Sequence, residues 1–438
     1  MICRTKSLLA AGILVLTLAA CGEQEVLLPG ERLDLDGQPP VTLEDVVNRS
    51  APLALPAPSV NAEWTHRGGN ASHALTHPAL NRSLQPIWSA PIGAGNGRKH
   101  RITADPVVAG GRIFAMDSRA RVTALTLSGE TLWTRDLTPA SDRSDDASGG
   151  GLAAAGTAVY VTTAFGELTA LDAATGETLW VQELDAAATG APMVSGGVVH
   201  VVTRNALGWA IDAATGRILW QILGAPSDSG IAGGPSPALA GPLVVFPMSS
   251  GQLIAAVSGP GTQAWAASVA GQRPRRAFSR ISDISADPVV VGDTVYAGNH
   301  SGRVAAFDAT TGQTRWSADD GAMSPVWVAG GAVFLVSDEN RLMRLDAATG
   351  ETVWAVDLPF FTRDRLTRRK ATFAHYGPVL AGGRLLVASD DRLLRAFDPV
   401  TGGLISTTEL PGPAARNPVV AGGTLYIVTE NGTLHAFR

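Results

Sequence analysis

His66, His73 and His77 are the residues whose type and spacing first suggest chemistry. The last two stand four apart, and imidazoles grouped in this way can bind a metal ion. Their surroundings argue for another role. Gly68, Gly69, Asn70 and Pro78 lie among them, and no cysteine or carboxylate is grouped with them to complete a ligand set. No metal site is expected there.

Other reactive groups are as sparse. The two cysteines are Cys3 and Cys21, so neither a disulfide nor a thiolate metal site can form in the rest of the chain. No Ser/His/Asp order and no glycine-rich phosphate loop is present. Arg4 and Lys6 precede an apolar run from Leu8 to Ala20. This is the pattern of a signal peptide over residues 1–20, too short for a comfortable membrane span. Leu18-Ala19-Ala20-Cys21 resembles the bacterial lipobox, which implies that Cys21 is diacylated and becomes the mature N-terminus. Gly22 behind it is similar to lipoproteins sent to the outer membrane. Residues 21–84 carry no repeat. Pro29, Pro39, Pro40, Pro52, Pro56 and Pro58, set among acidic residues, read as a flexible tether from lipid to body. The formal net charge is −5, and −7 without the first twenty residues, which hold Arg4 and Lys6 but no acid. That balance argues against nucleic-acid binding.

The elements that must position any site are repeats. Leu171-Asp172-Ala173-Ala174-Thr175-Gly176-Glu177-Thr178-Leu179-Trp180 recurs from Ile211 to Trp220 and from Leu345 to Trp354, with a looser copy from Phe307 to Trp316. It reads as a hairpin: Asp bonds the backbone ahead of it, and Gly takes the left-handed turn position. Most repeats begin with a strand that has a proline four residues before a glycine, as in Pro106 and Gly110, Pro288 and Gly292, or Pro418 and Gly422; Pro325 is one residue out of step and the second repeat has no such proline. Proline lacks a ladder donor and suits a strand start. An apolar, β-branched second strand follows. Trp133, Trp180, Trp220, Trp265, Trp316 and Trp354 fall on the fourth strands at spacings of 47, 40, 45, 51 and 38 residues, close to a β-propeller blade.

The eighth repeat stops at Phe437-Arg438, one strand short, while Ile87-Trp88-Ser89-Ala90 is a surplus fourth strand ahead of the first repeat. Pairing the two removes the open edges that proteins avoid. An all-β, eight-bladed propeller over residues 85–438 is therefore expected, closed by a strand at about 85–90. Four longer connections interrupt the period: 139–149, 224–235, 270–284 and 359–373. The third carries Arg273, Arg275, Arg276, Phe278 and Arg280, and the fourth Phe360, Phe361, Arg363, Arg365, Arg368, Arg369 and Lys370. Recognition on a rigid scaffold usually lives in such loops.

The Asp-x-x-Thr-Gly-x-x-x-Trp repeats resemble those of pyrroloquinoline-quinone (PQQ) type propellers over residues 84–438, in which this Trp docks between blades. The lipobox, the eight repeats and the early closing strand together resemble the BamB family, lipoproteins of the outer-membrane β-barrel assembly (BAM) complex. The local match is Arg280-Ile281-Ser282-Asp283-Ile284-Ser285, similar to the family's Arg-Leu-Ser-Asp-x-Asp. The resemblance implies that Arg280, Ile281, Ser282 and Asp283 contact the periplasmic POTRA domains of BamA; Ser285 stands where the family has a second Asp. In the preceding loop, Ile231 keeps the character of the family's Leu-Ser-Leu-Arg segment, and its Arg is absent.

The resemblance implies a non-catalytic scaffold without cofactors, lipid-anchored in the outer membrane and facing the periplasm. Its expected partners are BamA with the BAM complex and, as a further expectation, unfolded outer-membrane proteins. The alternatives are an envelope propeller with another partner and a PQQ-dependent dehydrogenase. The latter needs a Ca²⁺ site of carboxylate and amide oxygens and often an adjacent cysteine pair, and the repeats hold no cysteine.

Overall fold

A computed structural model describes residues 48–49, 51–227, 230, 233–269, 271, 283–363 and 365–438. Val47–Arg438 forms one unit; the other, Met1–Val46, holds Cys21 and lies outside the described residues. Eight antiparallel sheets of four strands follow one another as blades 1 to 8: 107–136, 150–183, 193–223, 238–268, 284–318, 327–357, 375–409, and 419–437 with 86–91. In each, the buried first strand lies towards the axis and the fourth at the rim, exposed in all but blade 6, where Val353 and Trp354 are buried. The strand Pro86–Pro91 completes blade 8 by pairing with Thr433–Phe437, Trp88 opposite Ala436 and Ala90 opposite Leu434. The expected eight-bladed, strand-closed ring is the observed one.

The recurring motif is explained by the seam between blades. Asp172 Oδ1 accepts the N–H groups of Ala174 and Thr175 at 2.9 and 2.8 Å, fixing the turn. Gly176 then lies under the indole of Trp133, the rim Trp of the preceding blade, whose Nε1 donates to Ala173 O at 3.2 Å. A Cβ on Gly176 would stand 2.6 Å from that ring. Trp88 on Gly129, Trp180 on Gly216, Trp220 on Gly261, Trp265 on Gly312, Trp316 on Gly350 and Trp354 on Gly402 repeat the contact. Only the junction of blades 7 and 8 differs. Blade 8 has no covalent turn between its third and fourth strands, because the fourth comes from the N-terminus. With no Thr-Gly platform to cover, blade 7 carries the exposed Ser406, opposite Ala396, where its siblings carry Trp.

Five rim Trp residues also pack on a Phe or Tyr of their own blade, such as Phe114 on Trp133 at 5.9 Å and Tyr160 on Trp180 at 5.9 Å, while blade 4 has Val245 in that place. In blade 3 that place is taken by His200, fully buried and 5.7 Å from Trp220, with neither ring nitrogen hydrogen-bonded. Burial lowers its pKa to about 3. His66 is likewise lowered to about 3, by burial first and then by the neighbouring His73. Both are neutral in the folded chain and protonate near pH 6.5 when unfolded. Stability is therefore full above pH 6.5 and falls as pH drops towards 3, by about 1.4 kcal/mol per pH unit for each histidine. His200→Phe supplies the aromatic used elsewhere; it should raise stability at neutral pH by about 1–2 kcal/mol and flatten the acid slope by one proton. Denaturant midpoints at pH 7, 6 and 5 check both effects.

The tether expected over 21–84 does not hold for residues 51–84, which are folded onto the ring, with Trp64 at 2% exposure. The inner strands leave backbone groups open, and residues 61–78 satisfy them in ring order. Asn61 O accepts from Gly422 N of blade 8, and Trp64 exchanges two bonds with Val108 of blade 1. Thr65 O accepts from Ala154 N of blade 2, and His66 Nε2 from Val194 N of blade 3 at 3.0 Å. Ala71 O and Ser72 O accept from Leu239 N of blade 4 and Val290 N of blade 5. Thr76 O accepts from Trp327 Nε1 of blade 6 at 3.0 Å, and Pro78 O from Gly382 N of blade 7. This belt touches all eight blades. The three histidines are part of it: His73 Nδ1 meets Pro288 O at 2.8 Å, and His77 bridges Pro56 O and Gly383 N.

Candidate interaction surface

The two faces of the ring differ. On one, the turns after the first and third strands of each blade surround the belt, which closes the axis. From the belt Arg67, 7% exposed, reaches into the channel. Its Nη1 donates to Gly234 O at 3.0 Å, and its Nε lies 2.9 Å from Asp287 Oδ2 and 3.5 Å from Asp105 Oδ2. Asp105 also meets Arg416 Nε at 2.7 Å and Asn417 Nδ2 at 2.9 Å. Burial alone would raise the Asp105 carboxyl; Arg416, Arg67 and the Asn417 amide outweigh it and hold it below its ordinary value. Two cations and two carboxylates thus balance at the centre of the ring.

What remains beside them, between Trp64, Asp105, Trp327, Pro378 and Asn417, is a cavity of about 20 Å³. That is room for one water, whereas a cofactor-sized ligand needs roughly 300 Å³ or more. Among the described residues, that central space is too small for a quinone.

The opposite face carries the connections between blades. Asp283, just ahead of the strand Ile284–Val291, is 2% exposed. A side chain starting on Gly230 would stand 3.6 Å from Asp283 Oδ2, 3.4 Å from Ser249 Oγ and 3.9 Å from Arg204 Nε. The connections 224–235 and 270–284 therefore meet, Gly230 being the residue before Ile231. Ile231, Arg280, Ile281 and Ser282 themselves lie outside the described residues. The Asp283 side chain is enclosed at the start of its strand. Arg204, exposed in the turn between the strands Val198–Val202 and Leu207–Asp212, is the neighbour that sequence reasoning misses. A cation in a polar turn was the available signal; its approach to Gly230 is tertiary.

Further round this face the connection 139–149 folds back on the ring. Asp145 Oδ1 lies 3.1 Å from Arg119 Nη1 and 3.8 Å from His100 Nε2. Burial pushes the Tyr376 hydroxyl up to about 12, so it stays protonated.

The family model described as outer membrane protein assembly factor BamB matches residues 118–356 and 363–438. The chain belongs to the BamB family. Outer membrane protein assembly factor BamB of Moranella endobia is 27% identical over 370 residues, covering 83% of this chain and 92% of the relative. That of Escherichia coli is 26% identical over 367 residues, 82% of this chain and 90% of the relative. Among solved structures, BamB from Moraxella catarrhalis superposes with a TM-score of 0.66 at 21% identity, over 81% of this chain and all of that one (100%). The quinohemoprotein alcohol dehydrogenase of Comamonas testosteroni has the same TM-score of 0.66 at 17% identity, over 86% of this chain and 80% of that one. The fold is thus shared with enzymes, while the curated relatives of the BamB family carry the name of an assembly factor.

Proposed function

We propose that this chain is a non-catalytic scaffold of the outer-membrane β-barrel assembly machinery, anchored through a lipid on Cys21 and facing the periplasm. It binds the POTRA domains of BamA through the connections around Ile231 and Arg280–Asp283 and aids insertion of barrel proteins. The observation that supports this is the approach of Gly230 to Asp283, which brings together described residues of two connections far apart in sequence. Arg204 beside them offers a cation where the Ile231 segment lacks one. The filled axis supports the non-catalytic reading over a quinone dehydrogenase.

A photo-crosslinker placed at Arg204 and at Arg280 in the native envelope tests the partner. Capture of BamA is the expected result, and capture of a different envelope protein instead moves the function to that partner. Deletion of the protein should lower the level of outer-membrane barrels; unchanged levels would remove the role in insertion.

A further inference from the structure

The connection 359–373 is a built finger. Phe373 N donates to Phe360 O at 2.8 Å and Thr362 N to Ala371 O at 3.0 Å, making a two-stranded neck. Asn340 Nδ2 ties both sides of that neck, bonding Pro359 O at 3.3 Å and Phe373 O at 3.0 Å. His375 Nε2 adds a contact to Pro359 O at 2.8 Å. Phe360 and Phe361 pack at 4.7 Å, and Arg369 lies over the Phe361 ring at 4.9 Å. The tip turns through a short 3-10 segment, Leu366–Arg368. Arg363, Arg365, Arg368, Arg369 and Lys370 are all exposed there. Asp364, outside the described residues, is the one acid in the stretch.

Five cations against one carboxylate, on a chain of net charge −5, is a strong local reversal of sign. The cations surround a turn, which fits a field of anionic groups better than one acidic side chain. Asn48 and Arg49 bond Ala355 and Val353 on the rim strand Thr352–Asp357, which leads into the finger.

We infer that the finger 359–373 docks on anionic phospholipid headgroups, beside the acyl chains expected on Cys21. Those chains can anchor the protein by themselves; the finger adds attraction to an anionic surface, cation by cation, that salt screens. The inference rests on the proposed lipid at Cys21 only for bringing the finger to a membrane.

The test uses the full chain with Thr367→Cys, labelled with an environment-sensitive dye, on phosphatidylcholine vesicles with and without phosphatidylglycerol in excess. Flotation with pure phosphatidylcholine reports the acyl anchor. A blue shift of the dye on phosphatidylglycerol, reversed by salt, reports the finger. The expected shift is absent on pure phosphatidylcholine. When Arg363, Arg365, Arg368, Arg369 and Lys370 are all changed to Gln, on the order of a thousandfold more anionic lipid should be needed to reach it. No shift on anionic vesicles overturns the inference whether or not the protein floats. So does a shift that survives the five substitutions, or one that arises only on adding BamA. Loss of flotation with the shift retained overturns the anchor and leaves the finger standing.

Discussion

Arg67→Ala is expected to cost the folded ring about 3–5 kcal/mol, because it leaves a buried carboxylate without its partner. Asp287 is fully buried, and Arg67 is the cation beside it at 2.9 Å. Asp105 keeps Arg416 and Asn417, so the cost concentrates on Asp287. Arg67→Ala combined with Asp287→Asn should therefore recover a large part of the loss. A single-variant cost below about 1 kcal/mol, the level of a surface pair, would show that the central cluster does not lock the belt. Urea midpoints measure the effect. Hydrogen exchange should show where it falls, with the Leu239 and Val290 amides losing protection because both donate to the belt.

The second large effect lies at the rim. Gly312→Ala places a methyl 2.6 Å from the Trp265 ring at a backbone φ of +71°, and the indole bond to Ala309 O at 3.0 Å goes with it. Gly111 shares the φ of +71° but has nothing within 4 Å of the same point. Gly111→Ala should cost about 1–2 kcal/mol, from left-handed strain alone. Gly312→Ala should cost about 1–3 kcal/mol more, because the Trp must be displaced. Equal losses for the two variants would mean that the motif's glycine is needed for the turn and not for the seam.

These two sites mark what the sequence reveals and what it hides. The seam is legible because it is written in many copies: Trp and Gly recur at blade spacing, and even the surplus strand at Trp88 has its deficit at Phe437. The belt is written once. Its residues follow no period, since each pairs with a different blade, and a run of Gly, Asn and Pro around His66, His73 and His77 has the composition of a loose linker. Only tertiary contacts turn those histidines into acceptors and donors for Val194, Pro288 and Gly383. The loop patch falls between these cases. Its address is readable from the interrupted repeat, but burial of Asp283 and the approach of Arg204 to Gly230 depend on how blades 3 to 5 pack.

The belt also sets an order of events in time. Asn61 leaves the ribosome early, yet the carbonyl that its amide donates to, Val420, lies 359 residues later. Gln85 likewise waits for Arg438, the last residue. Each blade can form from local hairpins as it emerges, but the first stretch of the chain has no place to settle until the last blade exists. Contacts so distant in sequence make for slow completion. Until then Trp64 and the open inner edges of eight sheets stay available to proteases and to other extended chains. A protein whose family is named for assembling β-barrels is thus itself a β-structure that can be finished only after its final strand arrives.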